Sequence, residues 1–240
     1  KIVYTDLNNK VLWENENTEF SNQIFIAKDY IFKQTNNNIT VYDKSNQMFV
    51  MAEIPGNIVN VSRENGKTGM IVKNNGQTLF ILNENNEIVV DNKEFEDVIT
   101  GLSISNKSEA YSIITLTFEN GSPVNSLYFN LIDNVELWST TINNEILIKT
   151  KVINNNVIVI GTENIYFYNN NGKLMWKNSM YNKILDYEIS EENQSINILF
   201  EKDNSTELIS YNFEGKVMEI QAAPSSVTNL RIVDKQTLVF

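Results

Sequence analysis

Cysteine and histidine are both missing from the 240 residues. Without thiols the chain can form no disulfide, no zinc–thiolate site and no cysteine nucleophile. Without imidazole it cannot assemble a Ser-His-Asp triad. A thiol-free chain is also indifferent to the redox state of its compartment. Arginine is nearly absent, confined to Arg63 and Arg231, and the net charge is −11. Phosphate neutralisation needs clustered Lys and Arg, so no nucleic-acid partner is expected. No run approaches the 18 or so apolar residues of a membrane span. The chain begins at Lys1 rather than Met, so the expectation is that a leader, a membrane anchor or a tag precedes it. Proline is limited to Pro55, Pro123 and Pro224, all expected between strands, where it does no harm.

What is present is material for a core, with 42% hydrophobic and 10% aromatic residues against only 20% charged. That is not the profile of a disordered chain. Abundant Asn and Ile suggest an AT-rich, bacterial coding genome. The decisive feature is a repeat. IVYTDLNNKVLW from Ile2 aligns without gaps to IYFYNNNGKLMW from Ile165. Segments starting at Ile39, Leu79, Leu127 and Leu208 share the register, so successive starts lie 37, 40, 48, 38 and 43 residues apart. A period near 40 is that of a four-stranded propeller blade.

Three columns give the unit physical content. Its eighth position is Asn9, Asn46, Asn86, Asn134, Gly172 and Gly215, always a residue that tolerates positive φ. The spacing therefore predicts a tight hairpin turn there. The fifth position is Asp6, Asp43, Asn83, Asn169 and Asn212, with Leu131 the exception, and an Asx side chain there can bond the turn backbone. The eleventh position is apolar throughout (Leu12, Phe49, Val89, Leu137, Met175, Met218) and is expected to face the neighbouring blade.

Between the hairpins, β-rich pairs such as NIVNVS and GMIVK, ILIKTKVI and VIVIG, and ILDYEIS and INILFEK supply two more strands per period. No convincing helix is present. The chain opens with a bare hairpin, Lys1–Trp13, and closes with VTNLRIV and TLVF, which resemble the missing strand pair. The expected fold is all-β: a β-propeller of six four-stranded blades in one domain, 1–240. The ring would be closed by pairing of the N-terminal hairpin with the C-terminal strands. A fragment of a seven- or eight-bladed ring is the alternative.

Tyr168, Asn169, Gly172 and Trp176, spaced as Tyr–Asn–x–x–Gly–x–x–x–Trp, resemble the PQQ-like propeller repeat, found in quinoprotein dehydrogenases and BamB-like proteins. The resemblance covers nearly the whole chain through its six hairpins, with Trp13 and Trp138 repeating the tryptophan and Val50, Val90 and Glu219 replacing it. It implies that these tryptophans pack between adjacent blades. Catalytic members carry a vicinal Cys pair, a calcium-binding carboxylate cluster and eight blades. This chain lacks the cysteines and the length, which points to a non-catalytic member without a cofactor.

No catalytic, cofactor or metal residues are assigned. Asp91, Glu94, Glu96 and Asp97, or Glu191 and Glu192, have no spacing diagnostic of a glycosidase pair or a calcium loop, and read as solvated loop charge. The long loops are expected at 14–22, 91–97, 139–145, 177–183 and 219–226. They bring Phe20, Phe95 and Tyr181 forward as contact points on one face. The expected function is a non-catalytic scaffold for protein–protein interaction, extracytoplasmic or at the bacterial cell surface. The rival is a carbohydrate-active or calcium-dependent enzyme with its site in the central channel, and a third reading is a ligand sensor. Channel carboxylates of strongly raised pKa favour the enzyme, and an apolar or plugged channel favours the scaffold.

Overall fold

The computed structural model describes residues 2–5, 10–15, 23–27, 30–51, 53–180, 182–203, 205–233 and 236–239. These form twenty-four strands and no helix. A first pair, β1 (Ile2–Thr5) and β2 (Val11–Asn15), precedes five four-stranded antiparallel meanders. The first sheet is β3 (Gln23–Ala27), β4 (Tyr30–Thr35), β5 (Asn38–Asp43) and β6 (Met48–Val50). The second is β7 (Asn57–Glu64), β8 (Lys67–Lys73), β9 (Gln77–Leu82) and β10 (Ile88–Glu94). The third is β11 (Val98–Ile104), β12 (Ala110–Glu119), β13 (Ser122–Leu131) and β14 (Glu136–Asn143). The fourth is β15 (Leu147–Ile153), β16 (Asn156–Gly161), β17 (Asn164–Tyr168) and β18 (Leu174–Ser179). The fifth is β19 (Lys183–Ser190), β20 (Ser195–Lys202), β21 (Ser205–Asn212) and β22 (Val217–Ala223), and β23 (Leu230–Val233) pairs with β24 (Gln236–Val239). Among the described residues the first and last pairs are separate two-stranded sheets.

Successive sheets stack face to face, which explains the near-continuous apolar runs of their middle strands. Along β8, Met70 and Val72 join a cluster with Phe32 and Val41 of the first sheet. The intervening Ile71 joins Leu102 and Ile113 of the third. Along β16, Val157 and Val159 pack toward the third sheet, whereas Ile158 and Ile160 pack toward the fifth. Side chains alternate across a strand, so a strand covered on both faces must be apolar at every position. A further cluster joins Leu199 and Leu208 of the fifth sheet to Val227 and Leu230, seating β23 against it.

The hairpin turns have the expected chemistry. The eighth position has positive φ in each described copy: Asn46 59°, Asn86 62°, Asn134 70°, Gly172 75° and Gly215 78°. Asn9 lies outside the described residues. At the fifth position Asp43 Oδ1 accepts from Ser45 N (2.8 Å) and Gln47 N (2.9 Å). Asn83, Asn169 and Asn212 repeat the pair of bonds two and four residues on. Where Leu131 breaks the column, Asp133 Oδ1 accepts from Val135 N at 3.3 Å. Asp6 lies outside the described residues.

The eleventh position differs from expectation. Val89, Leu137, Met175 and Met218 are 39–54% exposed, each on an outermost strand. The cause is a β-bulge. Phe129 pairs with Trp138 and Asn130 with Glu136, leaving Leu137 as the extra residue. The same step leaves Leu12, Val89, Met175 and Met218 unpaired. A bulged residue leaves the ladder and shifts its neighbours by one, which exchanges faces. The twelfth position therefore turns inward: Val90 is 3% exposed. Of the outermost strands in the five sheets, only β6 pairs with its neighbour without a register shift, and there Phe49 packs against the core.

Two smaller corrections follow. The outermost strands run farther than expected, taking in Asp91–Glu94, Ser139–Asn143, Lys177–Ser179 and Glu219–Ala223, all assigned above to loops. Solvent on their outer face permits polar residues that read as loop. Pro123 likewise lies inside β13, near its start, where it pairs with Phe118 and its carbonyl accepts from Asn144 N at 2.9 Å.

Candidate functional site

The first strand of each sheet faces a common axis, and the cavity between these strands is the site best supplied with chemistry. Its volume is about 740 Å³, and it is lined from β3 (Ile26), β7 (Glu64), β11 (Ser103), β15 (Lys149, Lys151), β19 (Glu188) and β23 (Ile232). Six inner strands, from five sheets and the C-terminal pair, thus contribute to one wall.

The wall is charged. Lys151 Nζ lies 2.6 Å from Glu64 Oε1 and 3.4 Å from Glu191 Oε1, so it joins the second, fourth and fifth sheets across the channel. Asn106 Nδ2 extends the network to Glu191 Oε2 at 3.5 Å. Arg231 lies 3.3 Å from Asp186 and 3.9 Å from Glu188. Lys149 is open to the channel, and it makes no ion pair or hydrogen bond with a described residue. The protein around it lowers its pKa by desolvation, Lys151 adds to the drop, and Glu188 and Glu64 oppose it. Burial raises Glu188 above the ordinary carboxylate value against the pull of Arg231, Lys149 and Lys151, with Asp186 adding to the rise.

Two serine hydroxyls in this wall accept from backbone amides. Ser103 Oγ accepts from Val152 N at 3.0 Å and Ser62 Oγ from Ile104 N at 3.1 Å, each tying one inner strand to the next. Arg63, also in the wall, lies against Tyr30 (4.6 Å) and Phe49 (5.2 Å) of the first sheet and donates to Thr68 Oγ1. Among the described residues no group of three metal-ligating side chains converges.

Stacked five-sheet geometry around such a channel can be compared with known proteins. A chain from the crystal structure of BBS1N in complex with ARL6DN matches with a TM-score of 0.61 at 16% identity, covering 97% of this chain and 78% of that one. A chain of the Mitotic Checkpoint Complex matches at 0.64 and 13%, covering 94% and 72%. The Dos1 propeller matches at 0.62 and 10%, covering 98% and 69%. The fold is a β-propeller. No protein-family model matches the sequence, and no curated protein does.

In propeller terms each sheet is a blade, and Trp138 and Trp176 sit between blades. Trp138 Nε1 donates to Asn170 O (3.1 Å) and Trp176 Nε1 to Phe213 O (2.9 Å), both in the turn of the following blade. A Cβ on Gly172 would meet Trp138 at 2.9 Å, and one on Gly215 would meet Trp176 at 2.7 Å. The glycines in the eighth column therefore stand where an indole from the preceding blade lies over the turn. Asn86 and Asn134 follow blades that carry Val50 or Val90 in the tryptophan column.

Sequence reasoning missed a set of polar latches between blades. Gln34 Oε1 accepts from Ile58 N (2.9 Å), Gln77 Oε1 from Ile99 N (2.6 Å) and Asn125 Oδ1 from Leu147 N (3.2 Å). Each donor is among the first residues of the next inner strand. Gln77 and Asn125 lie two positions before the repeat start, as does Thr206, and that polar column was the available signal. Glu145, in the link from the third blade into the fourth, is a latch of another kind, tying that link to β17: its carboxylate is buried and accepts from Asn164 Nδ2 (2.9 Å), Glu163 N (3.2 Å) and the Tyr166 hydroxyl.

Of the three aromatic contact residues, Phe20 and Tyr181 lie outside the described residues. Phe95 is half-buried between the second and third blades. It meets Tyr128 edge-on at 5.7 Å, with Lys93 Nζ 5.3 Å from its ring centre. Glu94, Glu96, Asp97 and Glu136 surround it in a pocket of about 250 Å³.

Proposed function

We propose that the chain is a non-catalytic propeller scaffold that binds a protein partner. The observation that carries this reading is the cross-channel network of Lys151 with Glu64 and Glu191, which engages three of the channel's charged groups with one another. The channel serines are likewise engaged by backbone amides. Propellers offer loops on two faces of a rigid body, which suits recognition by shape. The similar chain in a BBS1N–ARL6DN structure and that of the Mitotic Checkpoint Complex belong to multi-protein assemblies, in keeping with this role.

The same proposal takes residues 1–240 as one domain of six PQQ-like blades, the sixth built from β1–β2 and β23–β24. Support comes from β23: Leu230 N donates to Asp186 Oδ2 at 2.9 Å, and Ile232 lines the channel with the other inner strands. We place the protein at the bacterial cell surface on the resemblance of its repeat, and with its acidic surface it binds no nucleic acid. Phe95, with Phe20 and Tyr181, would contribute contacts.

The test uses the 240-residue chain as bait against bacterial cell-envelope extract, with Phe95→Asp in parallel. Recovery of one protein by the wild type and its loss from the variant supports the scaffold. Glycan-array binding with no protein recovered refutes it.

A further inference from the structure

The channel wall carries two opposite charges that no ion pair joins. Lys149 on β15 and Glu188 on β19 line the same cavity of about 740 Å³, a volume suited to a small-molecule ligand. Each influences the other electrostatically, yet no ion pair links them. Of the other cations nearby, Lys151 is engaged with Glu64 and Glu191, Arg231 with Asp186, and Arg63 with Thr68 and two aromatic rings, while Lys107 is an exposed member of the cavity lining. Among the described residues the ion pair of Glu188 is with Arg231, at 3.9 Å, where a directly bonded pair would sit near about 2.8 Å.

Among the described residues neither group has a charge partner at hydrogen-bond distance, and Glu188, partly buried, gives up hydration that its 3.9 Å pair with Arg231 returns only in part. A ligand with one charge would relieve one side and leave the other. A ligand with both signs would relieve both. We propose that the channel binds a small zwitterion, a free amino acid or short peptide, with its carboxylate at Lys149 Nζ and its ammonium group at the Glu188 carboxylate. The cross-channel ion pairs of Lys151 then form a wall beside the ligand and keep Glu64 and Glu191 from competing for its ammonium. The proposal goes beyond the scaffold reading and stands independently of it, since protein capture through the loops requires no occupied channel.

The test is calorimetric titration of the full chain with glycine, diglycine and triglycine. Propionate and propylamine serve as single-charge controls and glucose as an uncharged one. At least one glycine compound should bind roughly tenfold or more tightly than either single-charge control, since losing one charge-assisted contact is of that order. Lys149→Gln and Glu188→Gln should each weaken that binding by about tenfold. Lys183→Gln, which removes an exposed pair with Glu201 outside the channel, should leave it unchanged. Both channel variants replace groups that are solvent-accessible, and a matching thermal melt confirms that they fold. Absence of binding by all three glycine compounds overturns the proposal. So does propionate or propylamine binding as tightly as they do, or unchanged affinity in either channel variant.

Discussion

Replacing Gly215 isolates the contact on which blade-to-blade packing rests. Alanine there meets two penalties. The residue has φ of 78°, and a left-handed conformation costs an L-residue about 1 kcal/mol or somewhat more. Its Cβ would also lie 2.7 Å from Trp176 Cδ2, against an indole held by its bond to Phe213 O and stacked on Phe167 at 5.6 Å. Displacing that ring adds the overpacking cost of about 1–3 kcal/mol. Loss of the indole hydrogen bond adds about 1 kcal/mol. Gly121 is the internal control, because it has φ of 84° and a Cβ there would meet nothing within 4 Å. Gly121→Ala should therefore show the backbone penalty alone. Urea unfolding followed by tryptophan fluorescence should place Gly215→Ala about 3–5 kcal/mol below wild type and Gly121→Ala about 1 kcal/mol below it. Asparagine separates the two penalties further, since it accepts positive φ but retains a side chain. Gly215→Asn should destabilise, and adding Trp176→Val, which recreates the Val90 and Asn134 pairing, should recover part of the loss. Equal stabilities for Gly215→Ala and Gly121→Ala, or strict additivity in the double variant, would show that the indole does not select the glycine.

Asn125→Leu should destabilise by about 2–3 kcal/mol in thermal melts, because it strips the Leu147 amide and two carbonyls of their buried partner. Gly161→Ala should be comparably damaging, since its Cβ would overlap Glu145 Oε2, and a stability change below that of Gly121→Ala would argue against the Glu145 latch. Glu188 has a folded pKa above its unfolded value of 4.5, so the folded state holds the proton longer. Stability therefore falls as pH rises from 4.5 through the raised value, and Glu188→Gln should flatten the melting temperature over that window. The Tyr168 phenol is pushed up to about 12 by burial and then by Glu145, against 10.0 unfolded. Stability should fall between pH 10 and about 12, and Tyr168→Phe should fall less steeply in a pH-jump unfolding series.

The turns were legible because their causes are local. Asp43 and Asn83 bond amides two and four residues away, and Asn46 and Gly172 take up positive φ within the same tight turn. These interactions need no distant part of the chain, so their residue types recur at a fixed spacing. The run holding Met70, Ile71 and Val72 was legible as a strand, and its packing on both faces came from the stacking of the sheets. The eleventh column was not, because a bulge is a property of two strands in register. Leu137 is apolar in either arrangement, and only its pairing with β13 turns it outward.

The same division runs through the channel. The absence of Cys and His removed whole classes of chemistry before any fold was known, and the repeat period together with its Asn- or Gly-tipped hairpins set the blade as the structural unit. Which charges meet was decided in three dimensions. Lys151, Glu64 and Glu191 are far apart along the chain and come within 3.4 Å only because separate blades converge on one axis. The gap between Lys149 and Glu188 arises in the same way. Local sequence encodes turns and faces through short-range bonding and side-chain alternation, whereas partnership between charges depends on long-range strand placement that no fixed spacing records.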